Sequence, residues 1–301
     1  MIGRVIRVSG MQHLVEVGDD LWQCELRGRL KRGARTATTP VVVGDLVRVK
    51  QVKHHTGVLE EVRPRKSKFS RLATGLRSCE QVLAANLDQL VVVASLHSPP
   101  LRLGFVDRSM VMALKGGMEP IICFNKIDLD SEDESDAIAR VYRDLGYRVC
   151  CTSAVTGEGM EEFKAVLEGR ISAVAGQSGV GKSSLLNRVD PRLSIKTHGI
   201  MIRHRRGRHT TTAVQLHRLQ VGGYVADTPG IKEMGLWDVD CSSLVDYFVE
   251  MKPLAMNCQF RNCRHLSEPG CAIRSAVGRG EISPTRYTGY QRIMENLSQQ
   301  P

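Results

Sequence analysis

Hydrophobic residues in the segment 1–71 come in short runs that are separated by turns and by charged residues. Alternating apolar positions at 5–8, 14–17 and 21–26 predict strands that bury one face. Two more runs of this kind are VVVGDLVRVKQV at 41–52 and GVLEEV at 57–62. Short, evenly spaced strands are typical of a small barrel, so we expect residues 1–71 to form one.

The segment 72–235 shows a different pattern, which begins after an expected linker at 72–86. Continuous apolar runs predict strands that are covered on both faces, and these lie at 87–95, 120–125, 147–153 and 171–176. Helical stretches are expected near 104–115, 132–145 and 159–168, with a further helix starting at Lys182. This alternation predicts a parallel sheet with helices on both faces.

Strand patterns are missing from the segment 236–301, which carries clustered cysteines and a helical stretch near 285–297. We therefore expect three domains, at 1–71, 72–235 and 236–301. No apolar run reaches the ~18 residues of a membrane span, and no signal peptide opens the chain. We expect a cytoplasmic protein with reduced thiols and no membrane contact.

The chain of 301 residues has a formal net charge of +10, which favours a polyanionic partner, most commonly nucleic acid. Basic residues concentrate in the stretches 27–35, 63–71 and 203–208. Solvated charge is the alternative for any single stretch. Three basic stretches around one nucleotide-binding domain favour contacts with RNA.

A phosphate-binding loop is predicted at GQSGVGKS, residues 176–183, because it follows a strand and opens a helix. Its glycines let backbone N–H groups turn toward phosphates. Lys182 would reach the β- and γ-phosphates, and the Ser183 hydroxyl would ligate magnesium. The predicted phosphate-binding residues are Gly176, Gln177, Ser178, Gly179, Val180, Gly181, Lys182, Ser183 and Ser184.

Guanine recognition is predicted at Asn125-Lys126-Ile127-Asp128, where the strand PIICFN ends. The Asp128 carboxylate can accept two hydrogen bonds from guanine, whereas adenine lacks this pair of donors. Ser153-Ala154, at the end of the next strand, would support the base through its backbone amide. A capped turn is the alternative for each motif taken alone.

A magnesium and γ-phosphate site is predicted at Asp227-Thr228-Pro229-Gly230, where another strand ends. Asp227 would hold magnesium through water, and the Gly230 N–H would sense the γ-phosphate. A threonine in GRHTTT, residues 207–212, would ligate magnesium only in the GTP state. We prefer Thr211 among the three threonines.

The order of these motifs differs from that of ordinary GTPases, because NKID and the Ser-Ala pair precede the phosphate loop and DTPG comes last. The same sheet can be built if the usual ends are joined and the chain is opened elsewhere. The sequence resembles the circularly permuted bacterial GTPases that assist maturation of the small ribosomal subunit, the RsgA (YjeQ) type. That resemblance implies an N-terminal OB-fold, a central GTPase domain and a C-terminal zinc domain.

A structural zinc site is predicted at Cys258, Cys263, His265 and Cys271, which provide four soft ligands close together in the sequence. Three free cysteines and a surface histidine are the alternative. The resemblance implies the same four ligands and one zinc ion per chain.

Hydrolysis needs a group that orients the attacking water, and the residue after DTPG is the apolar Ile231 where many GTPases have glutamine. His209 is a candidate for this role. A solvated histidine in an RNA-facing loop is the alternative.

We therefore expect a monomeric GTPase that binds GTP, GDP and Mg²⁺, contacts rRNA and is stimulated by the small ribosomal subunit. One rival is an RNA-binding module that holds GTP only as a structural ligand. A second rival is a basic GTPase at anionic membranes, which lacks support because the chain has no lipidation motif and no amphipathic anchor.

Overall fold

The computed structural model describes residues 1–28, 30, 40–72, 80–130, 134–195, 214–227, 236 and 238–299. Within these residues no helix is both long enough and apolar enough to cross a membrane. The first five strands are β1 (Ile2–Ser9), β2 (Gln12–Val17), β3 (Asp20–Leu26), β4 (Leu46–Lys53) and β5 (Thr56–Val62).

These strands form the small closed barrel that the alternation predicts. Neighbouring strands follow the order β1-β2-β3-β5-β4, and β4 pairs with β1 to close the ring. Every pair is antiparallel except β3 with β5. The inward positions make one apolar cluster that includes Val5, Val15, Trp22, Val47 and Leu59.

The strand predicted from residue 41 begins only at Leu46, because residues 41–45 form a turn. Gly44 has a φ of +87° there, and a Cβ on it would lie 2.0 Å from the Ala85 carbonyl oxygen. The buried Asp45 carboxylate accepts hydrogen bonds from Val42 N at 2.8 Å and from Arg65 Nε at 2.7 Å. The local packing therefore requires a turn where the apolar run suggested a strand.

Two paired strands lie where the chain enters and leaves the segment 72–86 that was expected to be a linker. They are β6 (Lys68–Leu72) and β7 (Glu80–Ala85), which pair in antiparallel fashion. Lys68 N donates to the Gly116 carbonyl oxygen at 2.9 Å. These two strands therefore connect the barrel to the next domain through defined contacts.

The central domain alternates strands and helices as predicted. Its elements in chain order are β8 (Gln89–Ala94), α1 (Leu103–Lys115), β9 (Glu119–Asn125), α2 (Glu134–Arg143), β10 (Arg148–Thr152), α3 (Met160–Leu167), β11 (Ile171–Gly176), α4 (Lys182–Val189), β12 (Gln215–Arg218) and β13 (Tyr224–Asp227). The strand order is β10-β9-β8-β11-β13-β12, and only β12 runs antiparallel to its neighbour. Separate apolar clusters on the two faces take in residues of α1 and α2 on one side and of α3 and α4 on the other.

The barrel and the central sheet are hydrogen-bonded into one eleven-stranded sheet, which the sequence pattern did not predict. The junction is the antiparallel pairing of β1 with β12 at Arg7 and Gln215. Tyr224 on β13 donates its hydroxyl hydrogen to the Glu16 carboxylate on β2. The two domains therefore share backbone pairing as well as side-chain contacts.

The C-terminal part is helical, with α5 (Lys252–Ala255), α6 (Ala272–Gly278) and α7 (Pro284–Ser298). Pro284 opens α7 at a position where its missing N–H costs no helical hydrogen bond. Arg286 of α7 is buried and reaches Asp107 on α1, Glu250, and the rings of Phe248 and Tyr142. This cluster fastens the C-terminal helices to the central domain.

Candidate nucleotide site and metal centre

The predicted nucleotide motifs meet at one edge of the central sheet. Strands β9, β10, β11 and β13 end at Asn125, Thr152, Gly176 and Asp227, and all four run in the same direction. NKID, Ser153-Ala154, the phosphate loop and DTPG each start at one of these ends. Ligands of parallel sheets bind outside the carboxyl ends of the strands, so this edge is where a nucleotide is expected.

The phosphate loop connects β11 to α4, with Gly179 and Gly181 at φ values of +87° and +96°. A Cβ on Gly181 would lie 2.2 Å from Asn125 Nδ2, so this position has no room for a side chain. Lys182 Nζ donates to the carbonyl oxygens of Gly176 and Gln177, both at 2.8 Å. These bonds hold the ammonium group over its own loop. Ser178 and Val180 lie in this loop, and Ser183 and Ser184 lie in the first turn of α4.

Asn125 joins the phosphate loop to the guanine-reading loops. Its side chain is buried, and Nδ2 donates to the Val180 carbonyl oxygen at 2.8 Å. Its Oδ1 accepts from Thr152 Oγ1 and from Ala154 N, both at 3.2 Å. The Ala154 amide, predicted to support the base, therefore donates to Asn125 in this structure. A single amide side chain sets the spacing between the two halves of the site.

Asp128 lies exposed in a short 3₁₀ turn, Ile127–Leu129, directly after β9. Ser153 Oγ donates to Asp128 Oδ1. The same hydroxyl oxygen accepts from Val155 N at 3.2 Å and from Thr156 N at 3.1 Å, so the serine is held by its own loop. The buried Ser153 hydroxyl therefore orients the Asp128 carboxylate, which is predicted to bind guanine.

Lys126 adopts a left-handed conformation, with a φ of +71°. Its Nζ donates to the Ser98 carbonyl oxygen at 2.7 Å, in the loop that follows β8. A Cβ on Gly179 would lie 3.7 Å from Pro99 of the same loop, which therefore also approaches the phosphate loop. Sequence reasoning missed this loop, whose only signal was the turn-forming Pro99-Pro100 pair.

Several predicted site residues lie outside the described part of the chain. These are His209, Thr211 and Gly230, together with the basic stretch 203–208. Asp227 is the last residue of β13, one position beyond Ala226, which pairs with Ala173 of β11. The backbone of Asp227 therefore lies beside the strand that leads into the phosphate loop.

The four predicted zinc ligands converge, with their ligand atoms all within 4.8 Å of one another. His265 Nδ1 lies 3.5 Å from both Cys258 Sγ and Cys271 Sγ, and these two sulfur atoms are 4.0 Å apart. Tetrahedral zinc with the usual bond lengths needs nitrogen–sulfur and sulfur–sulfur edges of about 3.6 and 3.8 Å. The donor set and its spacing are therefore compatible with a structural zinc ion, for which Cys263 would be the fourth ligand.

The surroundings of the cysteine cluster hold its loop in place. Tyr287 and Tyr290 of α7 donate their hydroxyl hydrogens to the carbonyl oxygens of His265 and Arg264, at 2.6 and 3.1 Å. Burial lowers the pKa of His265, which favours the neutral imidazole that a metal requires. Burial raises the pKa of Glu268, but backbone N–H donors outweigh this effect and lower it to about 2.

Comparison with known proteins decides the family. Residues 62–237 match the RsgA GTPase family. The chain is 40% identical over 278 residues to the small ribosomal subunit biogenesis GTPase RsgA of Gemmatimonas aurantiaca, which covers 92% of this chain and 90% of that protein. The RsgA of Moorella thermoacetica is also 40% identical, over 99% of this chain and 97% of that protein. The chain belongs to the RsgA GTPase family.

Solved structures of similar proteins agree with this assignment. The crystal structure of YjeQ from Thermotoga maritima matches with a TM-score of 0.81 and 32% identity, covering 100% of this chain and 99% of that one. YloQ, described as a circularly permuted GTPase, matches with a TM-score of 0.76 and 30% identity, covering 100% and 96% of the two chains. The predicted family, the permuted GTPase fold with its OB-type barrel, and the GTPase activity are confirmed.

Membership of a GTPase family implies Mg²⁺ together with GTP. Of the predicted magnesium ligands, Ser183 lies in the first turn of α4 and Asp227 ends the strand β13, whereas Thr211 lies outside the described residues. An oxygen-only set of hydroxyl, carboxylate and phosphate suits this hard cation. The residues present are thus of the right chemistry for the RsgA-family cofactor.

Proposed function

We propose that this chain is an assembly factor of the small ribosomal subunit, which binds rRNA in the GTP state and leaves after hydrolysis. The GTP-binding part of this proposal rests on one observation. NKID, Ser153-Ala154, the phosphate loop and Asp227 converge on one edge of the sheet. The ribosomal half of the proposal rests on relatives that are 40% identical over nearly the whole chain and are named as small ribosomal subunit biogenesis GTPases.

Each predicted residue has a defined task in this proposal. Asp128 accepts the guanine donors while Ser153 holds its carboxylate. The phosphate loop presents its N–H groups to the β- and γ-phosphates, and Lys182 releases its loop carbonyls to reach them. Bound magnesium would offset the negative charge on the phosphates, held by Ser183 and Thr211 directly and by Asp227 through water. Gly230 senses the γ-phosphate, and His209 orients the water.

The domain limits of the proposal are 1–71 for the RNA-binding barrel, 72–235 for the GTPase and 236–301 for the zinc domain. We place the protein in the cytoplasm as a monomer, with rRNA contacts carried by the basic stretches 27–35, 63–71 and 203–208. A phosphate-dominated interface of this kind weakens steeply as salt rises, because bound counterions are released on binding.

GTP turnover, measured with and without purified small subunits at two salt concentrations, tests the proposal. We expect subunits to stimulate turnover, and we expect the stimulation to fall at the higher salt. Unchanged turnover on adding subunits would favour the rival in which GTP is a structural ligand only. His209→Ala should lower stimulated turnover but spare nucleotide binding, and equal stimulated rates would remove His209 from the mechanism.

Neutralising Arg29, Lys31 and Arg32 should weaken subunit binding and reduce its salt dependence. The matched control also removes three charges, by neutralising Arg140 and Arg143 on α2 and Arg148 on β10, which are exposed at the end of the sheet away from the barrel strands. If both sets of substitutions weaken subunit binding equally, binding depends on the overall charge of the protein and the basic stretch 27–35 has no specific role.

A further inference from the structure

An arginine of α4, the helix that follows the phosphate loop, contacts the 153–157 loop that would support the guanine base. Arg188 lies near the end of α4 (Lys182–Val189), and its Nη1 donates to the carbonyl oxygens of Ala154 and Val155 at 3.3 and 3.4 Å. Neither the phosphate-loop pattern nor the Ser-Ala pair singles out this residue. This side chain therefore connects the helix that follows the phosphate loop to the loop that would support the base.

The space for this guanidinium is provided by Gly157, whose φ is +93°. A Cβ at this position would lie 2.6 Å from Arg188 Nη2. Gly157 N in turn donates to the Ser153 carbonyl oxygen at 2.9 Å, which closes the loop. The loop thus leaves room for the arginine on the side that faces α4.

Fixing the carbonyl groups of Ala154 and Val155 also fixes the peptide units around them. These units include Val155 N and Thr156 N, which donate to Ser153 Oγ at 3.2 and 3.1 Å. The same hydroxyl donates to Asp128. A change in the path of the loop would therefore move the hydroxyl that aims the carboxylate.

We propose that Arg188 is a positioning residue for guanine recognition, which holds the 153–157 loop so that Ser153 aims Asp128 at the base. This inference rests on the proposed role of Asp128. Recognition through paired hydrogen bonds requires supporting residues that hold the first contact to within about 0.5 Å. Both hydrogen bonds come from Nη1, which the planar guanidinium holds in a fixed direction. A lysine side chain is one bond shorter and its ammonium group rotates freely, so it matches this geometry poorly.

Competition binding of GTP and ITP tests the proposal on the full-length protein with its zinc. ITP lacks the exocyclic amine and so loses one of the two hydrogen bonds to Asp128, while its phosphates are unchanged. The variants are Arg188→Met and Arg188→Lys, and the matched control is Arg140→Met, at an exposed arginine of α2 away from the site. Melting temperature and zinc content are measured alongside.

We expect Arg188→Met to reduce the preference for GTP over ITP by about fivefold, the worth of one ordinary hydrogen bond. Arg188→Lys should also lose much of the preference for GTP over ITP, whereas Arg140→Met should retain the full preference. Turnover at saturating GTP should change less than KM, because Arg188 does not touch the phosphates in this arrangement.

Three results would overturn the proposal. Equal losses of GTP and ITP affinity in Arg188→Met, restored by lysine, would mean that Arg188 acts only as a charge near the phosphates. An unchanged preference with a lowered subunit-stimulated rate would assign Arg188 to ribosome contact instead. If the parent protein itself does not prefer GTP over ITP, guanine reading by Asp128 fails, and this inference fails with it.

Discussion

Replacing Arg286 with methionine should strongly destabilise the attachment of the C-terminal helices to the central domain. Arg286 is 1% exposed and Asp107 is 1% exposed, so water cannot replace their contact. The guanidinium donates to Asp107, and its Nε donates to Glu250 at 2.7 Å. It also lies 4.6 Å from the centre of the Phe248 ring. Methionine fills much of this space but leaves two buried carboxylates without a counter-charge.

Removing one partner of a buried ion pair costs about 3–5 kcal/mol, because the remaining charge is still desolvated. That is a large share of the ~5–15 kcal/mol by which a typical protein is stable. Asp107 is especially vulnerable, since its Oδ2 has no hydrogen-bond partner among the described residues. We therefore expect Arg286→Met to lower the free energy of unfolding by several kcal/mol.

The loss of stability in Arg286→Met, relative to the parent protein, should become smaller as the pH falls. Burial raises the pKa of Asp107 to about 6 from 3.8, although Arg286 lowers it. Without the guanidinium this pKa rises further, so the folded variant takes up a proton that the unfolded chain does not bind. The stabilisation from that proton is fully present below pH 3.8 and is lost as the pH rises through the folded pKa.

Urea unfolding followed by circular dichroism, at about pH 7.5 and about pH 5.5, measures both effects against the parent protein. Adding Asp107→Asn to the variant should recover part of the loss, because it removes one buried charge. Arg279→Met is the control, since this arginine is exposed and pairs only at the surface with Glu281. A loss below about 1 kcal/mol, the range of surface pairs, would refute the reasoning.

Three further results are expected. Asp128→Asn should weaken GTP binding and favour xanthosine triphosphate, and unchanged GTP affinity would contradict guanine reading at this position. Asn125→Ala should reduce the affinity for both GTP and GDP by at least about tenfold in competition binding, because it removes three hydrogen bonds, two of them buried, that hold the loops together. Unaltered affinity would show that nucleotide binding does not depend on this amide. Cys263→Ala should abolish stoichiometric zinc binding, measured by metal analysis, and partly unfold the segment 236–301. A parent protein that contains no zinc would contradict this prediction.

The sequence by itself determined the features whose physics is local. A phosphate loop needs its glycines and lysine within eight consecutive residues, and a zinc site can draw all its ligands from one short loop. The strand 171–176 follows from its continuous apolar run, and the helix Pro284–Ser298 follows from its hydrophobic period and its end signals. The permuted order of the motifs was equally readable, because it requires only their positions along the chain.

Tertiary structure alone decided the contacts between distant parts of the chain. Residues 80–85 form a strand because they pair with β6. Their short sequence, EQVLAA, does not by itself indicate this partner. The pairing of β1 with β12 depends on which edges meet after folding. Arg188 and Arg286 look alike in sequence, as arginines in polar helices, yet one is exposed and the other is buried between two carboxylates. Hydrophobic periods report only the burial of a face, whereas the partner of a charged side chain depends on how separate elements pack.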